Sequence, residues 1–145
     1  MYNLYLPYEV TFDAGSRTYC CEGMDRHGMP FGVGAGTTLE VAEGHLRAFV
    51  MESLLTDAAD GNDHTGDLSR TPRGKGCLRL SPLELLPIRI RLARAMRRLK
   101  QAEVAERMGI TQQAYSRLER TGANPTFALL TRLEEALQQE IFQMT

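Results

Sequence analysis

Two short helical periodicities broken by a glycine turn, in the segment LKQAEVAERMGITQQAYSRLERTGANP from Leu99 to Pro125, constrain this chain more than any other stretch. Gln101 to Met108 has helical spacing, with Val104, Ala105 and Met108 on one face. Gly109-Ile110 supplies the break, because glycine takes the left-handed conformation that ends a helix. Thr111 is a good N-cap, and from Gln112 to Arg120 the spacing resumes with Ala114, Tyr115 and Leu118 turned inward. Two short helices joined this way form a helix-turn-helix, whose second helix enters the major groove. Gln112, Gln113, Ser116 and Arg117 are then left pointing outward. Glutamine matches adenine N6/N7 in a bidentate fashion and arginine matches guanine O6/N7, so these side chains can read base edges.

The segment resembles the Cro/phage-repressor (Xre-type) family. The residues that carry the likeness are Leu99-Lys100-Gln101, Gly109-Ile110-Thr111, Ser116-Arg117-Leu118-Glu119 and Asn124-Pro125. Lys100 stands for the usual Thr or Ser, Tyr115 for a branched aliphatic, and Gly122 lies one place from the family glycine. The resemblance implies that Gln112 and Gln113 meet base edges, that Gln101 bonds a phosphate while bracing Gln112, and that Thr111, Ser116 and Arg117 belong to the same interface.

Helix one of that domain carries the stripe Ile88, Leu92, Ala95, Met96 and Leu99, and is densely basic at Arg89, Arg91, Arg94, Arg97, Arg98 and Lys100. Helical spacing spreads these charges around the cylinder, so two or three face phosphates. Arg94 and Arg98 are the candidates. The net charge of −1 conceals an asymmetry: residues 1–69 hold three arginines against eleven acidic residues (−8), and residues 70–145 hold fourteen Lys or Arg against seven Glu (+7). A polyanion suits the second half and a basic partner the first.

The first half opens with an alternating, aromatic-rich run from Tyr2 to Phe12, a turn at Asp13–Ser16 and a returning run from Arg17 to Glu22, which predicts a β-hairpin. Phe31 to Gly36 predicts a third, glycine-rich strand. Its alternating glycines lack the strand-then-GxGxxG context of a nucleotide loop and suit sheet backbone packed close to another chain. Thr37-Thr38-Leu39-Glu40 has capping-box spacing, and Leu39, Ala42, Leu46, Phe49, Val50 and Leu54 predict an amphipathic helix from Thr38 to about Leu55. Asp57 to Gly76 is polar and without apolar periodicity, as in a linker or mobile loop. Cys77 to Leu80 alternates like a short strand. Ser81-Pro82-Leu83-Glu84 is a second capping box, Pro87 predicts a kink or restart, and Thr126 opens a last core helix with Phe127, Leu130, Leu133 and Leu137.

The strand-hairpin-helix order, the glycine before Thr37-Thr38-Leu39-Glu40-Val41-Ala42, and the junction Leu78-Arg79-Leu80-Ser81-Pro82-Leu83-Glu84 leading to Arg94-Ala95-Met96 resemble the HicB family of antitoxins. The family's Asp-Leu-Pro-Gly appears here as Asp25-Arg26-His27-Gly28. The resemblance implies an α+β chain: a small ββ(β)α(β) partial ribonuclease-H-like domain at 1–56, a linker at 57–80 containing the strand 77–80, and an all-α helix-turn-helix bundle at 81–145. It further implies a HicA-like ribonuclease toxin as partner, covered by carboxylates such as Glu9, Glu22 and Asp25 standing where RNA phosphates would lie.

No catalytic centre or cofactor is expected, since Asp13 and Asp25 fall in turns where converging carboxylates would be needed. No metal is expected either: Cys20, Cys21, His27, His45, His64 and Cys77 lack CxxC or HxxxH spacing. The odd cysteine count, the lack of a leader and the lack of a membrane-length apolar run predict a cytoplasmic protein with idle thiols. The leading expectation is an antitoxin that grips double-stranded operator DNA as a homodimer or higher homo-oligomer and represses its own operon. The alternatives are a repressor whose first domain oligomerises or senses a ligand and, last, an active enzyme with DNA targeting attached.

Overall fold

The computed structural model describes residues 2–141. It forms two compact units, Tyr2–Leu54 with His64–Leu80, and Leu55–Asp63 with the chain from Ser81 onward.

In the first unit, β1 (Leu4–Asp13), β2 (Thr18–Met24), β3 (Pro30–Gly36) and β4 (Gly76–Leu80) make one antiparallel sheet in the order β3-β2-β1-β4. The expected hairpin closes through Asp13, whose carboxylate accepts from the Gly15 N–H at 2.9 Å and the Ser16 hydroxyl at 2.8 Å. Leu4 pairs with Leu80 and Leu6 with Leu78, and these four are buried together with Cys21. Against this face lies α1 (Leu39–Ala59), with Ala42, Leu46, Val50 and Leu54 buried. The capping hydroxyl is that of Thr38, which accepts from the Val41 N–H at 3.1 Å, so the box spacing from Thr37 to Glu40 is displaced by one residue.

The glycines of β3 let α1 approach. A Cβ at Gly34 would stand 2.2 Å from the Ala42 carbonyl oxygen and 2.3 Å from the Leu46 nitrogen; one at Gly36 would stand 2.6 Å from Val41. The close neighbour is therefore this chain's own helix, a correction to the expectation of a second chain. Contact at this range is narrow, a stripe every fourth residue, so Leu39 and Phe49 flank it and stay exposed although their spacing suggested core.

Much of the polar stretch after residue 56, as far as Ser69, is engaged in backbone hydrogen bonds, which leave no apolar periodicity to read. Asp57–Ala59 completes α1, Thr65–Asp67 forms a 3-10 turn, and Ser69 exchanges backbone bonds with Tyr5 at 2.8 and 3.0 Å before β4 begins.

The second unit holds α2 (Pro82–Met96), α3 (Gln101–Met108), α4 (Gln112–Leu118) and α5 (Phe127–Leu137). The Ser81–Glu84 capping box forms as expected. Pro87 does not restart α2, which runs uninterrupted through it; the bond it forgoes is to the carbonyl of Leu83, a half-exposed residue. The core gathers Leu86, Ile90, Ala93, Val104, Ala105, Met108, Tyr115, Leu118, Leu130, Leu133 and Leu137. Two expectations fail here. Met96 is 68 % exposed, because α2 buries the Leu86–Ile90–Ala93 row instead of the equally periodic row through Leu92 and Met96. Phe127 is 79 % exposed: Thr126 caps α5, so Phe127 is its first residue, one turn ahead of the core at Leu130.

Candidate nucleic-acid interface

α3 ends at Gly109, left-handed at φ 68°, and the Ile110 N–H reaches back to the Ala105 carbonyl at 3.0 Å. Two residues on, the Thr111 hydroxyl accepts from the Ala114 N–H at 3.1 Å and starts α4. This fixes the direction of α4 and leaves Gln112, Gln113 and Arg117 exposed and Ser116 half-exposed. Together with Gln101 and Arg120 they line one shallow depression. Arg120 was not among the sequence candidates. Its signal is the spacing of four from Ser116, whose hydroxyl accepts from its guanidinium at 3.3 Å.

Beneath this surface, Glu119 is 1 % exposed and organises the domain. Its carboxylate accepts from Arg94 Nε at 2.6 Å and Arg94 Nη2 at 3.0 Å, from the Tyr115 hydroxyl at 2.7 Å and from Gln101 Nε2 at 2.9 Å. Arg91 Nε bonds the Glu119 backbone carbonyl at 2.9 Å. Burial pushes the carboxyl pKa up, but the hydrogen bonds from Arg94, Tyr115 and Gln101 outweigh it and hold the value below the usual carboxylate range. The bond it donates to Glu119 raises the Arg94 pKa, while burial and then the Glu119 charge raise that of the Tyr115 hydroxyl.

Arg94, expected on a phosphate, is instead a half-buried partner of Glu119, and its Nη1 donates to the Leu99 carbonyl at 3.0 Å. Gln101 is held by Glu119, not by Gln112. The sequence motif contained Glu119 but gave no clue to which arginine would reach it. Arg97, Arg107 and Arg132 likewise bond the backbone carbonyls of Gln138, Ala136 and Met108. Arg98 differs: it is exposed, left-handed at φ 53°, and among the described residues no side-chain bond engages it. The cations open to phosphate are thus far fewer than the charge of this half suggests.

In the first unit Glu9 and Glu22 are directly opposed on β1 and β2, both exposed. Asp25 follows β2 and has a structural task, its Oδ1 accepting from the N–H groups of His27 and Met29 at 2.8 Å each. Cys20, Cys21 and Cys77 are free thiols.

The buried polar hub, the glycine turn and the exposed second helix define a helix-turn-helix, and residues 90–142 match the helix-turn-helix family model. The match identifies a domain of the Cro/C1 type in this part of the chain and supports a DNA-binding transcriptional regulator. No curated protein matches the chain. Among the described residues no helix is long and apolar enough to cross a membrane.

Proposed function

We propose that the chain is an operator-binding autorepressor that is also an antitoxin. Gln112, Gln113 and Arg117 read base edges, while Thr111, Ser116, Gln101 and Arg98 meet the DNA backbone. Two copies bind half-sites about one helical turn apart. The single observation supporting the DNA reading is the exposed Gln112–Arg117 face standing on the Glu119 hub.

The antitoxin part rests on the resemblance to HicB antitoxins, with their partial ribonuclease-H-like domain, and on the Glu9–Glu22 pair. Two carboxylates opposed across a ladder repel, and a basic ribonuclease of the HicA kind would relieve them. The test uses the full chain, co-expressed with a small basic ribonuclease encoded beside it. Gln112→Ala with Arg117→Ala leaves growth rescue intact and derepresses the operon. Glu9→Lys with Glu22→Lys does the reverse. If the unmodified chain represses but never rescues, the antitoxin part fails and a plain repressor remains.

A further inference from the structure

β4 pairs with β1 only as far as Tyr8 opposite Gly76, and β1 then runs on to Asp13 without a partner on that side. Strand alternation points the peptide groups of Leu4, Leu6, Tyr8 and Val10 toward β4, so the Val10 N–H faces the place β4 has vacated. A cavity of about 680 Å³ opens there, walled by the β2–β3 loop and by the approach to β4. This volume is in the range of small-molecule sites. Pro7 and Met24, on one face of the sheet, supply apolar wall; Arg26, Arg73 and Lys75 bring positive charge, and Glu9 and Asp25 also line the cavity. Arg26 Nε donates to the neighbouring His27 ring at 3.1 Å. Arg73 and Lys75 make no side-chain hydrogen bond or ion pair among the described residues.

We infer that this cavity binds a small amphipathic anion, an apolar body bearing a carboxylate, sulfonate or phosphate. The apolar part covers Pro7 and Met24; the head group takes the Val10 N–H and the charges of Arg73 and Lys75. Unpaired cations beside an unpaired peptide donor, over an apolar wall, are complementary to that chemistry. The inference does not depend on the antitoxin reading.

The probe is anilinonaphthalene sulfonate, titrated by fluorescence into the full chain. One molecule is expected to bind per chain. Its uncharged analogue phenylnaphthylamine, and the Arg73→Gln/Lys75→Gln variant, should each bind about tenfold more weakly or worse, a difference of about 1.4 kcal/mol. Met24→Trp fills the wall and should also weaken binding, with melting curves confirming that both variants fold. Phe127→Ser should change nothing, which separates the cavity from the exposed ring on α5. Displacement by octanoate, by octyl phosphate or by both supports the site and assigns its head group. Displacement by neither, equal affinity for the uncharged analogue, or binding unchanged in Arg73→Gln/Lys75→Gln overturns it.

Discussion

Removing the Glu119 carboxylate would leave Arg94 and Tyr115 without their shared acceptor in a packed core. Breaking a buried pair from one side costs about 3–5 kcal/mol, so Glu119→Ala should lower the stability of the second unit by that order in urea titrations. The pH dependence follows from the depressed pKa of Glu119. Its contribution is complete above the unfolded value near 4.5 and is lost as pH falls through the folded value. Glu119→Gln should flatten that acid limb of the melting temperature against pH. On the exposed side the effects change in kind. Gln112→Ala should cost roughly 1–3 kcal/mol on the specific site and little on random DNA. Arg98→Ala should weaken both and reduce the salt slope by about one unit, whereas Arg94→Ala should act through unfolding. Equal losses for Gln112→Ala on both DNAs would take it out of the reading face.

The contact between β3 and α1 sets up two glycine substitutions with opposite signs. Gly34→Ala drives a methyl into the backbone of Ala42 and Leu46, and overpacking against backbone costs 1–3 kcal/mol or more, read as a loss in thermal stability. Gly44, exposed on α1, has nothing within 4 Å of a would-be Cβ, so Gly44→Ala should stabilise by about 1 kcal/mol through helix propensity. The two elements also show how far the sequence was legible. Gly109, Thr111 and Ser81 could be read because a cap or a turn is decided within four residues. The inward face of α2 could not, since two rows fit one period and tertiary packing chose between them. The alternation of β3 was visible, but only the fold supplies the helix that uses it. For the same reason the choice of Arg94 over Arg98 as the partner of Glu119 was out of reach: the two belong to one basic run of sequence, and the acceptor lies 25 residues away from Arg94.

Across the whole molecule, β4 returns to the sheet after the chain has finished α1, so the first unit is discontinuous in sequence. A fragment ending at residue 56 would cut α1 within its last turn and omit β4. Fragment 1–80 is therefore expected to melt cooperatively by circular dichroism and fragment 1–56 is not; a cooperative transition in the shorter piece would make β4 dispensable. Trypsin should cut first at Arg73 or Lys75, since Arg70 is held by the Tyr2 hydroxyl at 3.0 Å with its guanidinium over that ring. The Glu9–Glu22 opposition carries a consequence for the isolated protein. Mobile counterions screen repulsion between exposed like charges, so added salt should raise the melting temperature of the sheet unit on its own. The operator complex should respond in the opposite sense, because salt removes the entropic gain from ions released by the DNA. High ionic strength would thus give a sturdier protein with a looser grip on DNA.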